Sequence, residues 1–210
     1  MSDKVNWSEA TKPLLKKYKG KKHPLDYENT YQLLVCVILS AQDSDKHINQ
    51  VAPKFFAAFP NLESLVGIAA ESLFEYISDV RNFGNKAKWI VGIAEQLKSD
   101  NNIPKTMDGL TALHGIGRKS ANVIMRESGV EAEGVIVDLH VVRVAPRIGI
   151  ATGTDPKKIE QRIMGEIPRK DWGEIGMAIS FLGREICRPT NPKCPECPMN
   201  DVCKYYQESL

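Results

Sequence analysis

The sequence predicts an all-α protein. Apolar residues recur at helical spacing through nearly every long segment, and capping residues, glycines and prolines separate those segments. The one stretch with strand character, Val135 to Val142, has no second strand to pair with, and a lone strand is not stable. With 210 residues the chain suits one or two domains and can bury a real core. A composition of 42% hydrophobic and 26% charged residues is that of a soluble globular protein and excludes a disordered one. No apolar run approaches the ~20 residues needed to span a bilayer. The start, Met1 to Trp7, lacks the apolar core of a signal peptide, so a cytoplasmic location is expected.

The elements follow in order. Residues 7 to 19 read as a basic amphipathic helix, and Lys19 to Tyr27, with Gly20 and Pro24, as a loop. Asn29 or Thr30 can cap a helix from Tyr31 to Ser40. Its run from Leu33 to Leu39 is apolar on all sides, which predicts a central, buried helix with Cys36 as a small core residue. Ser40 to Asp45 ends that helix and caps another, along which Phe55, Phe56 and Phe59 fall at core spacing. Short helices lead to Val80, Arg81 to Asn85 reads as a polar turn, and a helix is expected from Lys86 to Leu97. Met107 to Leu113 predicts a short helix. Val135 to Val142 is read as an extended entry into a helix. Asp155-Pro156 opens a helix to Met164, with proline tolerated in the first turn. Another helix runs from Trp172 to Cys187, and the proline-rich tail after it reads as a loop wrapped around a centre.

Three features carry chemistry. The first is Leu113-His114-Gly115-Ile116-Gly117-Arg118-Lys119-Ser120-Ala121-Asn122, which reads as helix, tight hairpin, helix. Its glycines permit a sharp turn and close approach, and the helix that follows presents amides and a positive dipole end suited to phosphate. The second is a run of six lysines without an acid between Lys12 and Lys22, a basic patch despite a net charge of only +2. The third is the cysteine set. Four of the five, Cys187, Cys194, Cys197 and Cys203, lie in C-x6-C-x2-C-x5-C spacing near the end of the chain, which in a cytosolic protein reads as a metal site. Spacing alone admits either zinc or an iron–sulfur cluster.

The LHGIGRKSAN hairpin, the VDLH segment and this cysteine spacing, in this order and separation, resemble the endonuclease III family of DNA repair glycosylases, in the helix-hairpin-helix superfamily. The resemblance extends from about Tyr31 to Tyr206. It implies a six-helix barrel at 24–133 and a cluster domain made from 1–23 and 134–210, with a DNA cleft between them. It also implies a [4Fe-4S] cluster on Cys187, Cys194, Cys197 and Cys203. The expected activity is removal of oxidised pyrimidines from duplex DNA, followed by strand cleavage at the abasic site. Lys119 matches the family's amine nucleophile. In a first helical turn beside Arg118 its ammonium feels positive potential, which favours the free amine. Asp138 matches the carboxylate that accepts a proton and stabilises charge on the sugar. Gln42 corresponds to the residue that fills the space left by a flipped nucleotide and reads the opposite base. Further DNA contacts are expected from Asn82, His114, Gly115, Gly117, Arg118, His140 and Lys193, with a monovalent cation at the hairpin. Arg184, Arg188 and Lys204 are additional backbone contacts on this reading. The protein is expected to act as a monomer on double-stranded DNA at the nucleoid, without a membrane.

The chain departs from the family pattern at three positions. His114 replaces the hairpin's usual proline, Asn82 stands where a leucine wedge is common, and Leu139 replaces a threonine after the aspartate. Asparagine cannot wedge by apolar burial, so either Phe83 takes over or extrusion relies on Gln42. Two other functions fit part of the pattern. A mismatch glycosylase of the same fold would remove adenine or thymine without cutting, but such relatives commonly lack the lysine. A non-catalytic DNA-binding module would use the four cysteines for structural zinc.

Overall fold

The computed structural model describes residues 5–209. Met1 to Lys4, most of the stretch read for a leader, and Leu210 lie outside the described residues. In chain order the α-helices are α1 (Trp7–Ala10), α2 (Lys12–Tyr18), α3 (Thr30–Leu39), α4 (Asp45–Ala58), α5 (Phe74–Ile77) and α6 (Phe83–Leu97). Then come α7 (Met107–Thr111), α8 (Arg118–Glu127), α9 (Leu139–Ile148), α10 (Pro156–Glu166), α11 (Trp172–Glu185) and α12 (Lys204–Gln207). No strand occurs among the described residues, and no helix is long and apolar enough to cross a membrane. The chain divides into two compact units. One is continuous, Lys22–Val130; the other combines the start of the chain up to Lys21 with everything from Glu131 onward.

The continuous unit is built around α3. Asn29 caps it by accepting from the Gln32 amide at 2.9 Å, and every residue from Leu33 to Leu39 is buried. A helix apolar on all faces needs neighbours on all faces, and α4, α6 and α8 supply them. Cys36 is fully buried, and burial pushes its thiol up to about 12, which keeps it inert. Phe55 and Phe59 enter the core, while Phe56 is half-buried against Tyr31, whose hydroxyl donates to the Phe59 carbonyl at 2.7 Å. Helix α6 starts at Phe83, one turn earlier than Lys86. Asn82 takes a left-handed conformation, and Phe83 then packs edge-on against Phe74 with ring centroids 5.0 Å apart. Glu127 accepts from both Tyr27 and Arg126, tying the loop before α3 to the end of α8.

The second unit centres on α11, buried from Ile175 through Gly183 and packed chiefly against α9 and α2. Two glycines permit close packing of α11, one against α9 and one against the segment before it. A Cβ on Gly183 would lie 2.9 Å from the His140 Cβ and 3.0 Å from the Val144 side chain. A Cβ on Gly176 would collide with the Ile136 carbonyl oxygen and lie 2.7 Å from the Ile136 nitrogen. The segment before α9 is extended and buried from Gly134 to Val137, as the sequence predicts, and enters a helix instead of pairing as a strand. Its Val135 amide donates to Glu160 at 3.1 Å. The expected helix over 7–19 is two pieces, because the chain turns at Thr11, whose hydroxyl donates to the Trp7 carbonyl at 2.7 Å. Tyr18 lies on Phe181 at 5.6 Å and donates to Glu185, which fixes α2 on α11. The tail is not loop alone: two 3-10 turns, at Cys194–Glu196 and Asn200–Val202, precede α12.

Candidate active site and cysteine centre

The hairpin forms where the sequence places it. Leu113 and Ile116 are buried anchors, and the Ile116 amide closes the turn on the Leu113 carbonyl at 3.2 Å. Gly115 sits at φ +82, and a Cβ there would lie 2.6 Å from the Trp89 ring, so only glycine fits both the backbone and the space. Gly117 is the N-cap of α8 and provides no side-chain acceptor for the first amides of that helix. His114, Gly115, Gly117, Arg118 and Lys119 are all exposed, while Ala121 to Met125 are buried. Helix α8 is therefore anchored by one face and presents Lys119, its second residue, to solvent. A positive dipole end, a basic pair and a glycine turn form an anion-attracting surface. Trp89, which seats the hairpin, carries no motif and was not identifiable from sequence.

Gln42 and Asn82 lie on two loops of the same unit, both exposed and both with left-handed backbones, φ 60 and 58. The Asn82 side chain accepts from Asn85 at 3.0 Å. Phe83 is half-buried, edge-on against Phe74. Beneath the loops, fully buried Lys86 donates to the Leu39 and Ala41 carbonyls, each at 2.7 Å. Burial lowers the affinity of this amine for its proton, Asp43 nearby restores part of it, and Arg81 opposes that restoration. Burial also works to raise the Asp43 carboxyl, but hydrogen bonds from His47, the Arg81 amide and the Ser44 amide hold it below its ordinary value. The sequence marked Gln42 but gave no sign of the Lys86 and Asp43 support, because partners 38 to 47 residues apart follow no local period.

In the second unit Asp138 is the N-cap of α9. One carboxylate oxygen accepts from the His140 and Val141 amides, both at 2.9 Å. The other accepts from the fully buried Ser180 hydroxyl at 2.6 Å and lies 3.8 Å from an Arg184 guanidinium nitrogen. Capping and a chemical role are thus compatible: donors on both oxygens fix the carboxylate's orientation. Arg184, expected as a DNA contact, turns toward Asp138 and Ser180. His140 is half-buried, with its Nδ1 3.2 Å from Arg143, and Leu139 is 71% exposed. Lys193 is exposed, 3.6 Å from Glu196, Arg188 is exposed, and Lys204 is exposed, 3.7 Å from Glu208.

The four tail cysteines line one pocket with Ile148, Ile186, Pro192, Tyr205 and Tyr206, partly open to solvent. Among the described residues no group of three or more His, Cys, Asp or Glu comes together tightly enough to hold a single metal ion. Four thiols on one apolar pocket are the donor set of a metal centre, zinc or iron–sulfur. Burial pushes the Cys197 thiol up to about 11 and raises that of Cys203. A metal centre deprotonates its thiol ligands outright and so supplies what burial withholds. Two arginines one turn apart on α9 support the loop: Arg143 donates to the Gly183 and Cys187 carbonyls, and Arg147 to the Arg188 and Pro189 carbonyls. Arg147 also lies 3.7 Å from the Cys187 sulfur. Their i, i+4 spacing was visible in the sequence, but nothing there linked them to the cysteines.

Residues 35–169 match the HhH-GPD superfamily of base excision DNA repair proteins, which defines the class. Endonuclease III of Synechocystis sp. is 36% identical over 99% of this chain and 96% of its own length. That of Bacillus subtilis is 34% identical over 88% and 85%. In structure the chain resembles a trapped endonuclease III–DNA covalent intermediate, with TM-score 0.84, 29% identity, and 96% and 95% of the two chains covered. A non-covalent endonuclease III–DNA complex gives 0.82 at 30% identity, covering 93% of this chain and 92% of that one. A thermostable thymine-DNA glycosylase, at 0.75 and 19% identity over 93% and 94%, shares the fold. The chain belongs to the endonuclease III family, DNA glycosylases of base excision repair that also cleave at abasic sites.

Proposed function

We propose that the chain removes oxidised pyrimidines from duplex DNA, with Lys119 as the nucleophile and Asp138 as the assisting carboxylate. The free amine of Lys119 attacks C1′ of an extruded nucleotide, and the base departs with the electrons of the glycosidic bond. Asp138 stabilises the positive charge developing on the sugar and takes the proton released by the attacking amine. Ring opening gives an imine, loss of a proton from C2′ follows, and β-elimination breaks the bond to the 3′ phosphate. The hairpin amides around Gly115 and Gly117, with Arg118, His114 and a monovalent cation, hold the backbone phosphate; His140 and Lys193 add contacts. Gln42 fills the vacated space, with Asn82 beside it as a polar partner.

The observation that supports this most is the exposed Lys119 in the first turn of a helix that leaves a glycine hairpin. A relative caught as a covalent intermediate with DNA fits the same chemistry. Borohydride reduction during incubation with abasic-site duplex is expected to yield a stable protein–DNA adduct, together with excision from oxidised-pyrimidine duplexes. Excision without an adduct would point to the mismatch type of relative. Asp138→Asn is expected to slow base removal by about 10²- to 10³-fold while sparing DNA affinity. Asparagine caps a helix about as well as aspartate, so the melting temperature should hold; a large drop would make Asp138 structural.

We read the cysteine centre as a [4Fe-4S] cluster on Cys187, Cys194, Cys197 and Cys203, supported by the four thiols lining one apolar pocket and by Arg147 at the Cys187 sulfur. When bound, it cross-links the tail into one compact loop. The purified protein is expected to be brown, with broad visible absorption and iron and acid-labile sulfide in equal amounts. Cys203→Ser should lose the colour; a colourless wild type containing zinc would overturn the assignment.

A further inference from the structure

Gln42 and Asn82 both hold left-handed backbones although neither is glycine, a conformation that persists only where the surroundings over-determine it. The same two residues do so for both loops. Asp43, immediately after Gln42, accepts the Arg81 amide immediately before Asn82 at 3.2 Å, while its other oxygen lies 2.8 Å from His47 Nδ1. Lys86 sends its side chain to the carbonyls of Leu39 and Ala41, just before Gln42, while its own amide donates to the Asn82 carbonyl at 3.2 Å. Each loop is therefore fastened to the other twice, once through a carboxylate at the rim and once through a buried ammonium below. A displacement of one tip must be carried to the other.

We propose that Asp43 is a positioning residue that joins Gln42 and Asn82 into one two-tipped reader of the duplex, so that discrimination of the opposite base depends on the link. This rests on the reading that Gln42 and Asn82 meet DNA where a nucleotide is extruded. Lys86 is too deeply buried for a clean substitution, whereas Asp43 is half-buried at the rim and can be changed.

The test measures affinity for duplexes carrying a reduced abasic analogue opposite each of the four bases, in wild type, Asp43→Ala and Asp43→Asn. A cycle of Gln42→Ala and Asn82→Ala is run with and without Asp43. In wild type the best and worst opposite bases should differ about fivefold or more, and the two tips should be non-additive, as members of one network are. Asp43→Ala should bring the spread within about twofold and make the tips additive. Asp43→Asn, whose amide oxygen can still accept the Arg81 amide, should retain most of the spread. Borohydride trapping at saturating abasic DNA should persist in both variants, since that step needs the nucleophile and not the reader. If Asp43→Ala keeps the spread and the non-additivity, or loses affinity equally for all four duplexes with a matching drop in melting temperature, the inference is wrong. A wild type that traps but shows no opposite-base preference overturns the inference and leaves the lyase reading standing. One that never traps overturns both.

Discussion

Lys119→Ala is expected to abolish the borohydride adduct and to lower strand cleavage at abasic sites by about 10³-fold or more, on the order of 4 kcal/mol of transition-state stabilisation. Truncation removes the one primary amine on the first turn of α8 while keeping the helix intact, since alanine is the best helix former. The side chain is exposed, so no cavity results and the melting temperature should not move. DNA affinity should fall only modestly, because the hairpin amides and Arg118 remain. Lys119→Arg separates charge from nucleophilicity: it should restore affinity without restoring the adduct. An adduct formed as readily by Lys119→Ala as by wild type would assign the covalent step to a different amine.

Gly176→Ala should produce the largest loss of stability of any single methyl addition in the second unit. The new Cβ would overlap the Ile136 carbonyl oxygen and approach the Ile136 nitrogen at 2.7 Å, and both are backbone atoms that cannot rotate away. Helix α11 must retreat from the Gly134–Val137 segment or that segment must bend. Overpacking of this kind costs about 3 kcal/mol. For a chain of this size that is a fall of roughly 6–12 °C in melting temperature. Because Asp138 follows the displaced segment and Ser180 sits one turn further along α11, the 2.6 Å bond between them should also break. Activity should then fall even at temperatures where the variant stays folded. Ser180→Ala is the control that removes the bond without the collision. A Gly176→Ala variant with wild-type melting would contradict the close packing of α11 on this segment.

The helical class, the buried α3, the hairpin and the extended approach to α9 were legible in the sequence because each is written locally, in periodicity, caps or glycine placement. Boundaries failed where tertiary contacts decided them. Phe83 begins α6 early because Phe74 offers it an edge contact, and Thr11 divides the basic helix by turning its hydroxyl onto Trp7. At the site, the residues with motif positions could be named in advance, but their support could not. Ser180, Trp89, Lys86, Asp43 and the Arg143–Arg147 pair act through contacts tens of residues apart, except for the hydrogen bonds Asp43 makes within its own turn. The departure at Asn82 has a physical reason in its φ of 58, since asparagine tolerates that backbone far better than leucine. The exposed Leu139 has no such explanation in the structure.

Both ends of the chain belong to one unit, and the other is a continuous insertion between them. On the ribosome, α1 and α2 emerge before the intervening segment and must wait, with Leu14 and Tyr18 uncovered, while that segment is made and closes on itself. Their partner α11 arrives only after the whole continuous unit, and the cysteine tail later still. Assembly of the cysteine-bearing unit therefore follows that of the continuous one, and a product stalled before α11 would hold a finished first unit with a sticky, unfinished companion.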